Sequence, residues 1–209
     1  MSWYLSLSIV ATVLSVIAMT KELFIPIFFR PNLLLSVGTT GEYLSDLTTN
    51  GNSLGTTVRY NLFRLKIENK ASFSASKDDG LYLRILNIYK DKTELQPFNT
   101  MVMRWVSASF SEDLSRGEHL FVNLVTVYHD EYKAHYAYPG HFGGAGLALA
   151  AGFPMGDLRK AGNFSYRIGI FGKRLSGKTY TVNFHFEPRD QDPISNLTLE
   201  EISNKSDEN

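Results

Sequence analysis

The chain has 209 residues, with 21 Lys plus Arg balanced by 21 Asp plus Glu, and it contains no cysteine. Disulfides, cysteine zinc sites and thiol catalysis are excluded, and the balanced charge without a basic stripe argues against nucleic-acid binding. A cysteine-free chain also suits a reducing compartment.

The first twenty residues, MSWYLSLSIVATVLSVIAMT, carry no charged side chain. An uninterrupted helix of that length spans roughly 30 Å, the thickness of the hydrocarbon core of a bilayer. No Lys or Arg precedes the run, and Ala18-Met19-Thr20 is a poor cleavage site, so residues 1–25 are expected to be an uncleaved transmembrane anchor. The competing readings are a cleaved signal and a buried core helix. Trp3, Tyr4, Phe28 and Phe29 flank the run as an interfacial aromatic belt would. The first cations, Lys21 and Arg30, follow it, and the positive-inside rule then places the downstream domain in the cytoplasm. Ser8, Ala11, Thr12, Ser15 and Ala18 fall on one helical face. Such a face suits self-association or a partner helix, although small residues are common in membrane helices in any case.

Residues 26–32, with Pro26 and Pro31, form a short linker to a domain expected over 33–188. Leu33 to Val37 is the first extended candidate, and the Gly/Thr/Ser/Asn-rich stretch from Gly38 to Thr57 reads as loop. Phe63, Leu65 and Ile67 alternate with Arg64, Lys66 and Glu68, the pattern of a half-buried strand. Leu81 to Tyr89 is apolar on both phases, as a central strand would be. Met101, Met103 and Trp105 share one face of a strand running to Val106, with Trp105 as a core anchor. The turn Ser115-Arg116-Gly117-Glu118 leads into another central strand, Leu120 to Tyr128. Phe164, Tyr166, Ile168 and Ile170 give the next strand and Leu175-Ser176-Gly177-Lys178 a hairpin turn. Tyr180, Val182, Phe184 and Phe186 then form the inner face of the last strand. About seven strands separated by turns predict an all-β, antiparallel sandwich. Residues 189–209 are mostly acidic and read as a disordered tail, although Thr198 and Glu201 have capping-box spacing.

The succession VRYNLFRLKIENK, LYLRILNIY, MVMRWV, DLSRGEHLFVNLVTVY and GNFSYRIGIFG resembles a group of membrane-anchored, immunoglobulin-like β-sandwich proteins. The resemblance runs from about Val58 to Phe186 and rests on hydrophobic and turn positions. It implies an immunoglobulin-like sandwich and carries no catalytic residue. The stretch between Tyr128 and Phe164 is longer and richer in Gly and Ala than that pattern, so it marks what is particular to this chain.

Candidate chemistry is sparse. His129, His135 and His141 recur at a spacing of six, which matches neither a zincin helix nor a zinc finger. They read as solvated loop histidines, with zinc or another divalent ion as the alternative. The apolar, small-residue segment Gly143 to Phe153 would either cap the core or make a membrane or protein contact through Leu147, Leu149 and Phe153. Lys173, Arg174 and Lys178 flank the last hairpin and would meet anionic headgroups or simply be solvated, whereas Arg159 and Lys160 belong to the other end of the same strand. Asn163, Asn196 and Asn204 begin formal glycosylation sequons. The expected function is a membrane-tethered, non-catalytic interaction or scaffold domain, without a cofactor, that recognises a protein partner through sandwich loops. A membrane-bound metal-dependent enzyme using the three histidines and an exported ligand-binding domain are the alternatives.

Overall fold

The computed structural model describes residues 8–20, 31–50, 57–71, 78–95, 101–103, 105–107, 109–129, 135–139, 157–173, 175, 177–189 and 191–202. Residues 8–20 are helical and every one is exposed. Ile9, Val10, Val13, Leu14, Val16, Ile17 and Met19 keep 50 % to 67 % of their surface in the open. The hydroxyls of Thr12, Ser15 and Thr20 donate back to the carbonyls of Ser8, Ala11 and Val16, at 2.9, 2.9 and 2.6 Å. Among the described residues no helix is long and apolar enough to cross a membrane.

Two antiparallel sheets share one core. The first contains β1 (Leu33–Val37), β2 (Leu44–Asn50), β3 (Thr57–Asn69), β8 (His119–His129) and β9 (His135–Pro139). The second contains β4 (Asp78–Lys90), β5 (Thr93–Glu94), β6 (Met101–Val102), β7 (Glu112–Leu114), β10 (Gly162–Phe171), β11 (Lys178–Phe186) and β12 (Ile194–Ile202), in the order β12-β11-β10-β4-β5, with β6 and β7 also paired to β4. Period-two alternation, reset in β8 where its register against β3 shifts at Phe63/Arg64, turns Phe63, Leu65, Ile67, Val122 and Val127 of the first sheet toward Leu83, Ile85, Tyr166, Ile168, Val182 and Phe184 of the second, and all belong to one buried cluster. Phe164 and Phe184 stack with centroids 5.4 Å apart, and Tyr166 meets Phe184 edge-on at 5.0 Å. Trp105 is 1 % exposed, as a core anchor should be.

The sequence reading departs from the structure in four places. The expected loop from Gly38 to Thr57 contains β2, which pairs with the first half of β3 while β1 pairs with the second half along the same edge. A 3-10 turn at Gly41–Tyr43 separates the two, and a Cβ at Gly38 would come within 2.8 Å of the Tyr43 ring. Hydrogen bonds to β3 hold this edge strand, so it needs few apolar residues. Met101 to Val106 is not one strand. Its start pairs with β4, the Met103 N–H donates to the Leu83 carbonyl at 2.9 Å, and then Trp105 bridges to Val122 and the Val106 N–H donates to the Phe121 carbonyl at 3.0 Å. The segment therefore crosses from one sheet to the other, with Trp105 filling the space between them.

The tail expected to be disordered over 189–209 instead contributes β12, which pairs with β11 from Thr179↔Ile202 to Phe186↔Ile194. Ile194 is buried, and Leu197 and Leu199 pack on the core. The apolar spacing is broken because the register shifts opposite Asn183/His185, where Asn196 adopts φ 53°. One extra residue changes which face the following side chains occupy and hides the period of two. The last strand is thus β12 rather than β11, and the described residues hold twelve strands, not about seven. Finally, His135–Pro139, expected as loop, is β9 beside β8.

At the end of β3 the buried side chain of Asn69 ties four segments together. Its Oδ1 accepts from the N–H groups of Asn32 at 3.2 Å and Ala71 at 3.1 Å, and its Nδ2 donates to the Leu114 carbonyl at 3.3 Å. Its own backbone exchanges hydrogen bonds with Gly117 and Glu118 in the turn that leads into β8.

Candidate functional site

The inward-facing row of β3 runs Ile67, Leu65, Phe63 and then changes character at Asn61 and Arg59. Register places Asp46 of β2 beside Asn61, and His129 of β8 beside Arg59. The apolar interior therefore ends in a cluster of polar side chains at one end of the first sheet. Asn61 is 5 % exposed and His129 only 7 %. The Asn61 Nδ2 donates to the Asp46 carboxylate, and the His129 Nε2 meets the Asn61 Oδ1. Asp46 fixes the orientation of the amide, since only its NH₂ group can donate to a carboxylate. The amide oxygen can then only accept, so Nε2 of His129 carries the proton. Asp46 also faces the Arg59 guanidinium at 3.5 Å, both about half exposed.

These residues open onto a cleft of about 600 Å³ between the first sheet and the start of β12, lined by Asp46, Arg59, Asn61, Asp192, Ser195 and Asn196 among others. Asp192 and Asn196 both hold left-handed backbone, φ 48° and 53°, a conformation these two residue types tolerate better than most. Nearby, Lys66 Nζ contacts Glu42 Oε1 at 2.9 Å and ties the 3-10 turn to β3. That hydrogen bond holds the Glu42 carboxyl below the usual carboxylate range and raises the Lys66 ammonium above its ordinary value. The cleft presents a carboxylate, an amide and a guanidinium in fixed positions. The amide of Asn61 stands between His129 and Asp46, so these two side chains do not exchange a proton directly.

A second concavity, about 690 Å³, lies on the outer face of the second sheet and is lined by Tyr89, Asp91, Asn163, Asn183, His185 and Asn196 with their neighbours. The Asn163 N–H donates to Asp91 Oδ1 at 2.9 Å, the Asp91 N–H donates to the Asn163 carbonyl at 2.8 Å, and His185 Nδ1 lies 3.0 Å from Asn163 Oδ1. Asp91 and Lys92, with φ 47° and 69°, make the tight turn between β4 and β5.

The residues singled out from sequence fare unevenly. His129 is not a solvated loop histidine: it ends β8, buried against Asn61. His135 pairs with it across β9, while His141 lies outside the described residues. Among the described residues no group of His, Cys, Asp or Glu side chains could hold a metal ion. Leu147, Leu149, Phe153 and Arg174 also lie outside the described residues, and Lys173 is exposed. Lys178 is not a spare cation, because its Nζ meets Glu201 Oε1 at 2.9 Å and that hydrogen bond raises its pKa. Asn163 and Asn196 were visible only as sequons, and Asp46, Asn61, Asp91 and His185 were not singled out. Their meetings depend on strand register between distant segments, which no local motif encodes. No family model, curated protein or solved structure matches this chain.

Proposed function

We propose that this chain is a membrane-tethered, non-catalytic binding domain whose recognition site is the cleft between the two sheets. The observation that carries the tether is the helix at residues 8–20, which leaves seven large apolar side chains uncovered. Exposed apolar surface costs about 25 cal/mol per Å² in water and nothing in lipid. The back-bonded hydroxyls of Thr12, Ser15 and Thr20 need no water either, which suits a hydrocarbon surrounding. The uncharged run extends ahead of Ser8 to twenty residues in all. The positions of Lys21 and Arg30 favour a single pass with the domain on the cytoplasmic side, and the strand pattern favours an immunoglobulin-like sandwich. In this reading Ser8, Ala11, Ser15 and Ala18 form the surface for a second helix, and Leu147, Leu149 and Phe153 extend the contact with a protein partner.

The test is alkaline washing of membranes that contain the full chain. The wild type is expected in the pellet. Val13→Arg, which costs about 2.5–3.5 kcal/mol of insertion free energy, should move it to the supernatant. A wild type released by the wash overturns the tether. An exported ligand-binding domain would use the same cleft, and protease added to intact cells separates the two: digestion of the domain would place it outside.

A further inference from the structure

The outer face of the second sheet carries two arginines placed diagonally on adjacent strands. On β4 the outward positions include Tyr82 and Arg84; on β10 they are Arg167, Gly169 and Phe171. Register sets Tyr82 against Phe171, Arg84 against Gly169 and Asn87 against Arg167, with a bulge between Arg167 and Ile168, so Arg84 lies across from Gly169 and Arg167 two residues along from it, and Leu86 sits over that glycine. The first arginine rests on an aromatic shelf. Tyr82 and Phe171 stack with centroids 5.3 Å apart, and the Arg84 guanidinium carbon lies 5.7 Å from one ring and 6.0 Å from the other. The shelf needs glycine beneath it: a Cβ at Gly169 would fall 2.7 Å from the Phe171 ring, and one at Gly177 would fall 3.0 Å from it.

Neither arginine makes a hydrogen bond or an ion pair with a described residue, and the Nε of each is buried without an acceptor. The neighbours on this face are neutral, Thr179 and Thr181 on β11. Of the nearby carboxylates, Glu94 accepts from Asn87 Nδ2 at 2.7 Å, and Glu200 lies one strand further out, opposite Thr181. The two charges stand diagonally rather than directly opposite, within reach of long side chains, and like charges so placed repel each other. A buried guanidinium nitrogen without an acceptor adds to that cost.

The geometry points to an oxyanion-binding site at Arg84 and Arg167, one that takes a phosphate or carboxylate group between the two guanidinium forks. Planar forks match such oxygens in pairs, which a lysine ammonium cannot do. The site is on the opposite face of the second sheet from the inter-sheet cleft and does not depend on the membrane tether. Its ligand could be a soluble phosphate ester or the phosphate of a lipid headgroup, since both present the same chemistry.

The experiment titrates the full chain, held in uncharged detergent micelles, with inorganic phosphate by calorimetry, and in parallel with the same micelles doped with phosphatidic acid. Saturable binding is expected, weakened at least tenfold by Arg84→Gln and by Arg167→Gln, without recovery in Arg84→Lys. Thermal midpoints are measured for each variant. The cation–π contacts with the aromatic shelf belong to Arg84, so the Arg167 variant reports on the site even if Arg84→Gln disturbs Tyr82 and Phe171. Much tighter binding to the doped micelles assigns a headgroup, and equal binding assigns a soluble ester. No saturable binding to either probe, or Arg167→Gln binding as the wild type does, overturns the proposal.

Discussion

Two buried asparagines stand toward opposite ends of β3, and they are used in opposite ways. Asn69 gives its amide to backbone groups of Asn32, Ala71 and Leu114, which closes one end of the first sheet and fixes its turns. Asn61 gives its amide to two titratable side chains, Asp46 and His129, at the edge of a cleft. The same residue type, on the same strand and buried in both places, ties the backbone together at one end and lines a cleft at the other. The difference lies in the partners: backbone groups carry no ionisable charge, whereas a carboxylate and an imidazole do.

Between those ends, Trp105 is the strongest test of what holds the sheets together. Trp105→Ala should destabilise by about 3–5 kcal/mol through cavity formation, read from chemical denaturation. A loss below about 1 kcal/mol would mean that the crossing segment does not fill the core. Asn69→Ala should follow at about 2–3 kcal/mol, because it leaves buried N–H and carbonyl groups unpaired, while the imidazole signals of His129 in an NMR spectrum stay in place. Asn61→Leu should cost less, about 1–2 kcal/mol, since Asp46 can turn to solvent and to Arg59, yet it should shift those His129 signals. If Asn69→Ala moved the His129 signals as far as Asn61→Leu does, the two ends would not be separate.

The smallest effect concerns pH. Glu42 titrates below its ordinary 4.5 because of its hydrogen bond to Lys66, so its contribution is present above that value and lost as pH falls through the lower folded pKa. Lys66 titrates above 10.5 because of Glu42, so its contribution is present below that value and lost as pH rises through the higher folded pKa. Glu42→Gln should therefore flatten both limbs of a plot of melting temperature against pH. The change should be small because the pair lies at the surface and water screens it.

How far the sequence discloses this molecule depends on where apolar side chains go. Strands with one buried face were legible, as Phe63-Leu65-Ile67 and Tyr180-Val182-Phe184-Phe186 show, and so was the burial of Trp105. β2 was not, because an edge strand can be held by main-chain hydrogen bonds with little apolar content. β12 was not, because the left-handed Asn196 shifts its spacing by one. The site was harder still: His129 was noticed, but for the wrong reason, since its partner Asn61 looks like any polar position until the pairing of β3 with β8 is known. Arg84 and Arg167 carry no local signal for the same reason, their adjacency being a property of β4 against β10.

That pairing of β4 with β10 also sets a schedule for synthesis. Lys90 must wait for Phe164, about seventy residues further along the chain, before the centre of the second sheet can close. At roughly 5–20 residues per second, the open edge of a long apolar strand stays bare for several seconds on the ribosome. An unpaired strand edge of that kind invites pairing with other nascent chains. The yield of folded protein should therefore fall as expression is driven harder, and slower expression should restore it.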